Sequence, residues 1–168
     1  MKKIITLVIA SIFIFTACEG PEGPIGPPGE PGEVIVGETF EYANVNFTSA
    51  NGYTFTATFD PPLVDGDAML VYRLEAVDNN VDVWEPLPTA FFYNDATGDQ
   101  MQYRFNYTRG DVQILIESSD FTAFGPDLLS NQVFRAVIVP ADLMNTVDTD
   151  NIDAVMKAAN IKSVQRLQ

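Results

Sequence analysis

The chain holds one thiol and no imidazole, and these two facts bound the chemistry open to it. Without histidine, Ser-His-Asp and Cys-His catalysis and metal sites built from His and Cys are excluded. The single cysteine, Cys18, lies just past a leader in which Lys2 and Lys3 precede an apolar run from Ile4 to Phe15, followed by the small residues Thr16 and Ala17. This is export-signal anatomy, and the run is too short for a membrane-spanning helix, which needs about 20 residues. A lone cysteine also rules out intrachain disulfides, so the fold has to rest on its hydrophobic core.

Carboxylates are the next candidates. Glu75, Glu85 and Glu117 fall in strand-like regions, and two of them about 5 to 10 Å apart across a cleft could run glycoside hydrolysis. Asp65-Gly66-Asp67, Asp95 with Asp99, and Asp148-Thr149-Asp150 with Asp153 offer oxygen ligands of the kind calcium takes. None matches an EF-hand loop, and Asp is equally a turn and helix-capping residue. The expectation is therefore no metal and no cofactor. Aromatic residues could instead stack on the apolar faces of sugar rings. Trp84 and Tyr93 are the candidates for ligand binding, with Trp84 expected on a loop beside Pro86 and Pro88. Arg109-Gly110-Asp111 spells an adhesion tripeptide, but its place between two alternating runs fits a hairpin turn better.

The elements that must position these residues follow from periodicity. From Gly20 to Gly32, glycine recurs at every third position with many intervening prolines. This collagen-like pattern reads as a semi-rigid polyproline-type stalk of about 3.1 Å per residue, or as a short triple helix joining three chains. From Val34 onward, apolar and polar residues alternate with the two-residue period of strands. Phe40, Tyr42, Val45 and Phe47 mark a strand with a phase slip near Ala43, and Tyr53 to Phe59 mark a second. Asn51-Gly52 between them predicts a hairpin. Strands are also expected at 69–76, 81–83, 90–93, 101–107, 112–116 and 133–139, the last nearly all apolar and thus central. Ile152, Val155, Met156 and Ala159 follow helical spacing, giving a short helix over about 150–160 with Asp150 as its cap. The fold class expected is all-β: an antiparallel two-sheet sandwich, Ig-like or jelly-roll-like, with one short C-terminal helix.

If the leader is removed, seven basic residues (nine less Lys2 and Lys3) face 23 acidic ones. Such a surface repels nucleic-acid phosphates and anionic lipid head groups alike, so nucleic acid is excluded as a partner.

Phe15-Thr16-Ala17-Cys18 resembles the lipobox of bacterial lipoproteins, departing at Phe15 where that family carries Leu. The whole order, with Gly-X-Y triplets, a β domain, the run Val133 to Pro140 and a short acidic-capped helix, resembles the short collagen-like surface lipoproteins of bacteria. The resemblance implies a signal peptide at 1–17, a lipidated Cys18 with a linker over 18–33, and a β domain at 34–168. It also implies an envelope location, at the outer membrane or cell surface. It transfers no catalytic residue. The expectation is a non-enzymatic binding or structural module, anchored in the membrane through Cys18 and monomeric unless the stalk trimerises. A carbohydrate-binding accessory domain is the alternative, with an envelope protein or a glycan as partner.

Overall fold

The computed structural model describes residues 37–94 and 98–167. They are mostly β, arranged as two antiparallel-rich sheets with few helices. The strands are β1 (Glu38–Val45), β2 (Thr54–Thr58), β3 (Ala68–Asp78), β4 (Val81–Pro86), β5 (Thr89–Asn94), β6 (Asp99–Tyr107), β7 (Asp111–Ser118), β8 (Gln132–Val139) and β9 (Gln165–Leu167). Two short helices, α1 (Pro126–Leu129) and α2 (Ile152–Ala158), accompany them. One sheet runs β4-β3-β8-β1-β9 and the other β2-β7-β6-β5.

The inner faces of the two sheets share one core. Tyr42, Val45, Met69, Val71, Phe134 and Ala136 come from the five-stranded sheet, and Met101, Tyr103, Val112, Ile114 and Ile116 from the other. Phe47, Tyr103 and Phe134 meet edge-on with ring centroids 5.9 Å apart, a preferred aromatic geometry. A second layer lies on the outer face of the five-stranded sheet, where Tyr72, Val137 and Val139 meet Ile152 and Val155 of α2. Both faces of β3 and β8 are thus covered, which explains why Val133 to Val139 reads as an apolar run rather than an alternation. On β3, Leu70 and Tyr72 face outward, while Met69 and Val71 point inward.

The phase slip near Ala43 is a β-bulge. Against β8, Tyr42 pairs with Phe134 and Val45 with Gln132, so β1 carries one extra residue, and Asn44 takes φ +57°. The bulge keeps Phe40 and Tyr42 on the same inner face as Val45 and Phe47 despite the changed spacing. The expected hairpin at Asn51-Gly52 does not form. β1 pairs with β8 and β9, whereas β2 pairs with β7 in the other sheet. A single 3₁₀ turn at Ser49–Asn51, with Gly52 and Tyr53 at positive φ, carries the chain from one layer to the other. Both edges of β1 are already occupied, so no edge remains for β2.

Two hairpins do close tightly. Asn79 and Asn80 both hold positive φ between β3 and β4, as a primed two-residue turn requires. Arg109-Gly110 turns β6 into β7, with the Thr108 amide donating to Asp111 O at 2.9 Å. The cap of α2 is Asn151, not Asp150: its side chain accepts from the Ala154 amide at 3.1 Å. Gly37 is required by close approach, because a Cβ there would lie 2.6 Å from Ile138 O and 2.8 Å from the Ala159 Cβ.

Candidate functional site

Three constellations gather the polar chemistry of the β domain. The first lies between the sheets. β3 turns Arg73 inward, where its guanidinium donates to Gln132 Oε1 at 3.1 Å, pairs with Glu85 at 3.5 Å and sits 5.1 Å from the Tyr103 ring centre. Gln132 passes the network on by donating to the carbonyls of Asp127 and Ser130, and the Tyr103 hydroxyl donates to Leu128 O. Burial pushes the Tyr103 phenol up to about 12, against a smaller opposing pull from Arg73. This network ties the segment containing α1 to the inner faces of the sheets.

The second crosses the outer face of the five-stranded sheet. Arg135 of β8 donates to Glu41 of β1 at 2.8 Å and approaches Asp82 at 3.6 Å, and its guanidinium lies 4.1 Å from the Trp84 ring centre. Arg166 of β9 reaches the other Glu41 oxygen at 3.1 Å. Tyr72 anchors the run before α2 by donating to Thr149 O at 2.7 Å. Burial raises its phenol strongly, and the charges of Asp150 and Asp148 raise it further.

The third is an open cleft of about 430 Å³ at one flank of the two sheets. Phe40, Tyr42, Phe59, Leu63 and Ile138 contribute apolar surface, and Glu38, Asp60 and Asp67 contribute carboxylates. Phe40 and Phe59 lie with ring centres 5.9 Å apart. Val64 on the loop after β2 and Leu167 on β9 are 69% and 42% exposed, and both line the cleft. Burial pushes the Asp67 carboxyl above its ordinary value and the Tyr42 phenol up to about 12.

The chain matches no family model, no curated protein and no solved structure.

The residues singled out by sequence are scattered across this framework. Trp84 lies within β4, not on a loop, and is half-buried with Arg135 over its ring. Cys18 and the side chain of Tyr93 lie outside the described residues, as do the leader and the Gly-X-Y run. The three glutamates do not converge. Glu75 is exposed at the β3 bulge, Glu85 is bound to Arg73 in one sheet, and Glu117 pairs with Arg104 at 3.3 Å in the other. Among the described residues, no group of three or more acidic, His or Cys side chains is arranged to hold a metal ion. Arg109 of the tripeptide is held by Asp65 at 2.8 Å and by Leu63 O at 2.9 Å, and Asp111 accepts from the Thr108 hydroxyl. These contacts make the tripeptide a turn that fastens the 63–65 loop.

Sequence reasoning missed the cleft. Its one local signal was Pro61-Pro62-Leu63-Val64, an apolar stretch inside a segment otherwise marked as a loop.

Proposed function

We propose that this protein is a lipid-anchored component of the bacterial cell envelope, whose β domain is a non-catalytic binding module carried on a Gly/Pro-rich stalk. The observation that carries this reading is the position of Cys18. The only cysteine stands directly after an export-type leader and directly before the Gly-X-Y run. A structural observation supports the domain's part in it. The open cleft at the flank of the sheets is a formed concavity within the roughly 300–1,000 Å³ range of ligand sites. The separation of Glu75, Glu85 and Glu117, with two of them committed to arginines, weighs against a carboxylate-pair hydrolase. The cover of Arg135 over Trp84 weighs against a flat sugar-stacking row at that residue.

Within the sandwich class, we favour a jelly-roll-like wrapping over an Ig-like one. The nested pairings β1 with β8 and β2 with β7 support it, while the β3-β4 and β5-β6 hairpins depart from it.

The test of the anchor is direct. Wild-type protein should incorporate labelled fatty acid and sediment with membranes, and Cys18→Ser should do neither. Normal labelling of the Cys18→Ser variant would overturn the reading.

A further inference from the structure

We propose that the cleft beside β9 binds an extended basic peptide segment of a partner protein, with apolar side chains on the Phe40–Phe59 surface and Lys or Arg side chains on the acidic rim. This deepens the binding-module reading and rests on it.

Three observations converge. The first is charge. Arg73, Arg104, Arg135 and Arg166 pair with Glu85, Glu117, Glu41 and Asp82 away from the cleft, and Arg109, beside the loop that lines it, is taken up by Asp65 and Leu63 O. Glu38, Asp60 and Asp67 form no ion pair among the described residues, yet all three line one cleft. The nearest arginine in sequence, Arg166 on β9, is turned to Glu41 on the outer face. Lys162 lies in the adjoining hollow that shares Glu38 and Gln165 but forms no ion pair with this rim among the described residues, so a cationic ligand is its complement.

The second is apolar surface. Val64 and Leu167 are two of the large apolar side chains left exposed among the described residues, and they line the same cleft. A ligand that touched only the carboxylates would leave them wet.

The third is backbone. Among the described residues, β9 pairs on one side with β1 and ends its sheet, and β2 pairs on one side with β7 and ends the other. Both reach the cleft, β9 through Gln165 and Leu167 and β2 through Thr58. A free strand edge offers unpaired amides and carbonyls, which an extended chain can extend as a further strand. Alternation along such a chain sends every second side chain to one face. A sequence alternating apolar and basic residues would therefore serve the floor and the rim together. Neither a free amine nor a sugar uses all three features.

The probe is the blocked pentapeptide Lys-Val-Lys-Val-Lys, titrated into the full chain, with Glu-Val-Glu-Val-Glu and Lys-Ser-Lys-Ser-Lys as controls. Saturable binding of the Lys-Val peptide is expected, weaker by about tenfold or more for either control. It should weaken further between about 50 and 200 mM salt, as partly exposed charge contacts do. Glu38→Gln combined with Asp60→Asn should weaken it about tenfold, since each exposed pair contributes a few-fold. Both positions are exposed, so the variant keeps its fold, and an unchanged melting temperature checks this. Val64→Ser should weaken the Lys-Val peptide but not the Lys-Ser control. Three results would overturn the proposal: no saturable binding at millimolar peptide, equal binding of the acidic or Lys-Ser peptide, or full displacement by a neutral glucose oligomer. Failure here with normal fatty-acid labelling would remove the ligand and leave the anchor. Peptide binding without labelling would do the reverse.

Discussion

The five-stranded sheet buries one arginine on each face, and the two are held in different ways. Arg73 lies between the sheets with a side chain only 6% exposed. Arg135 lies on the outer face with a side chain 13% exposed. The inner arginine relies on Gln132, Glu85 and the Tyr103 ring, partners that are themselves built into the core network. The outer one shares Glu41 with a second arginine, Arg166, and is braced by Asp82 and Trp84. The same division appears in two tyrosines. Tyr103 inside and Tyr72 outside each donate to the carbonyl of a connecting segment, at Leu128 and Thr149. A charge in a dry layer must be satisfied by fixed groups, because water cannot replace any that is lost. On the outer face Glu41 is buried as well, but two arginines share it, so one cation can stand in for the other. The inner cluster should therefore be brittle and the outer one redundant.

The sharpest test of that contrast is Arg73→Ala, which takes a donor from Gln132 and the cation from Glu85 and opens a void beside Tyr103. Leaving a buried polar partner short of a donor costs about 1–3 kcal/mol and the void adds to it, so the denaturation midpoint should drop sharply. A loss under about 1 kcal/mol would erase the contrast.

Alkaline pH tests the tyrosines. Folding raises Tyr42 and Tyr103 from the ordinary value of 10 to about 12, so the native state holds these protons more tightly than the unfolded chain. Stability is then intact below pH 10 and falls from 10 to 12, as only the unfolded state ionises. A tenfold change in proton affinity corresponds to about 1.4 kcal/mol, so each tyrosine removes roughly 2 kcal/mol by pH 12. Phenolate absorbance from these rings should rise together with unfolding measured by circular dichroism. Smooth ionisation with the far-ultraviolet spectrum unchanged would contradict the burial.

Arg135→Ala should cost about 1–2 kcal/mol, from one charge-assisted hydrogen bond and the cover over Trp84. Arg166 stays in place to neutralise Glu41. The smallest single effect belongs to Arg166→Ala, about 0–0.5 kcal/mol, as for other exposed pairs. The double variant should lose more than the two singles added together, since Glu41 then has no cation. Simple additivity in that cycle would show that the outer arginines do not back one another up.

The sequence was most readable where side-chain period alone decides the outcome. Alternation located the strands, the slip at Ala43 became a bulge, and the apolar run at 133–139 became a strand covered on both faces. Helical spacing placed α2 correctly. Its cap moved one residue, because Asp148, Asp150 and Asn151 are all capping types and only the fold selects Asn151. Pairing was less readable. A two-residue period fixes which face a side chain takes, not which strand lies beside it, and so Asn51-Gly52 predicted a hairpin where the chain changes layers. The position of Arg73 was written in the same alternation, two residues after Val71 and four after Met69. A charged residue at an apolar position reads as a strand end until its partners at 85, 103 and 132 come together. The cleft is assembled from residues between 38 and 167, so no local window contains it.

The three residues of β9 have a mechanical consequence. They lie parallel to the first strand, against Phe40, Glu41 and Tyr42, while β8 runs antiparallel along its other side. A pull applied at the N-terminal end of the described residues would enter at Gly37 and load β1. Drawn along its axis, β1 has two neighbours to slide past, and hydrogen bonds on both sides are loaded together in shear instead of opening one after another. β9 is thus a clamp on β1, and trimming residues 165–167 should lower the force at which the domain gives way more than it lowers its resistance to heat.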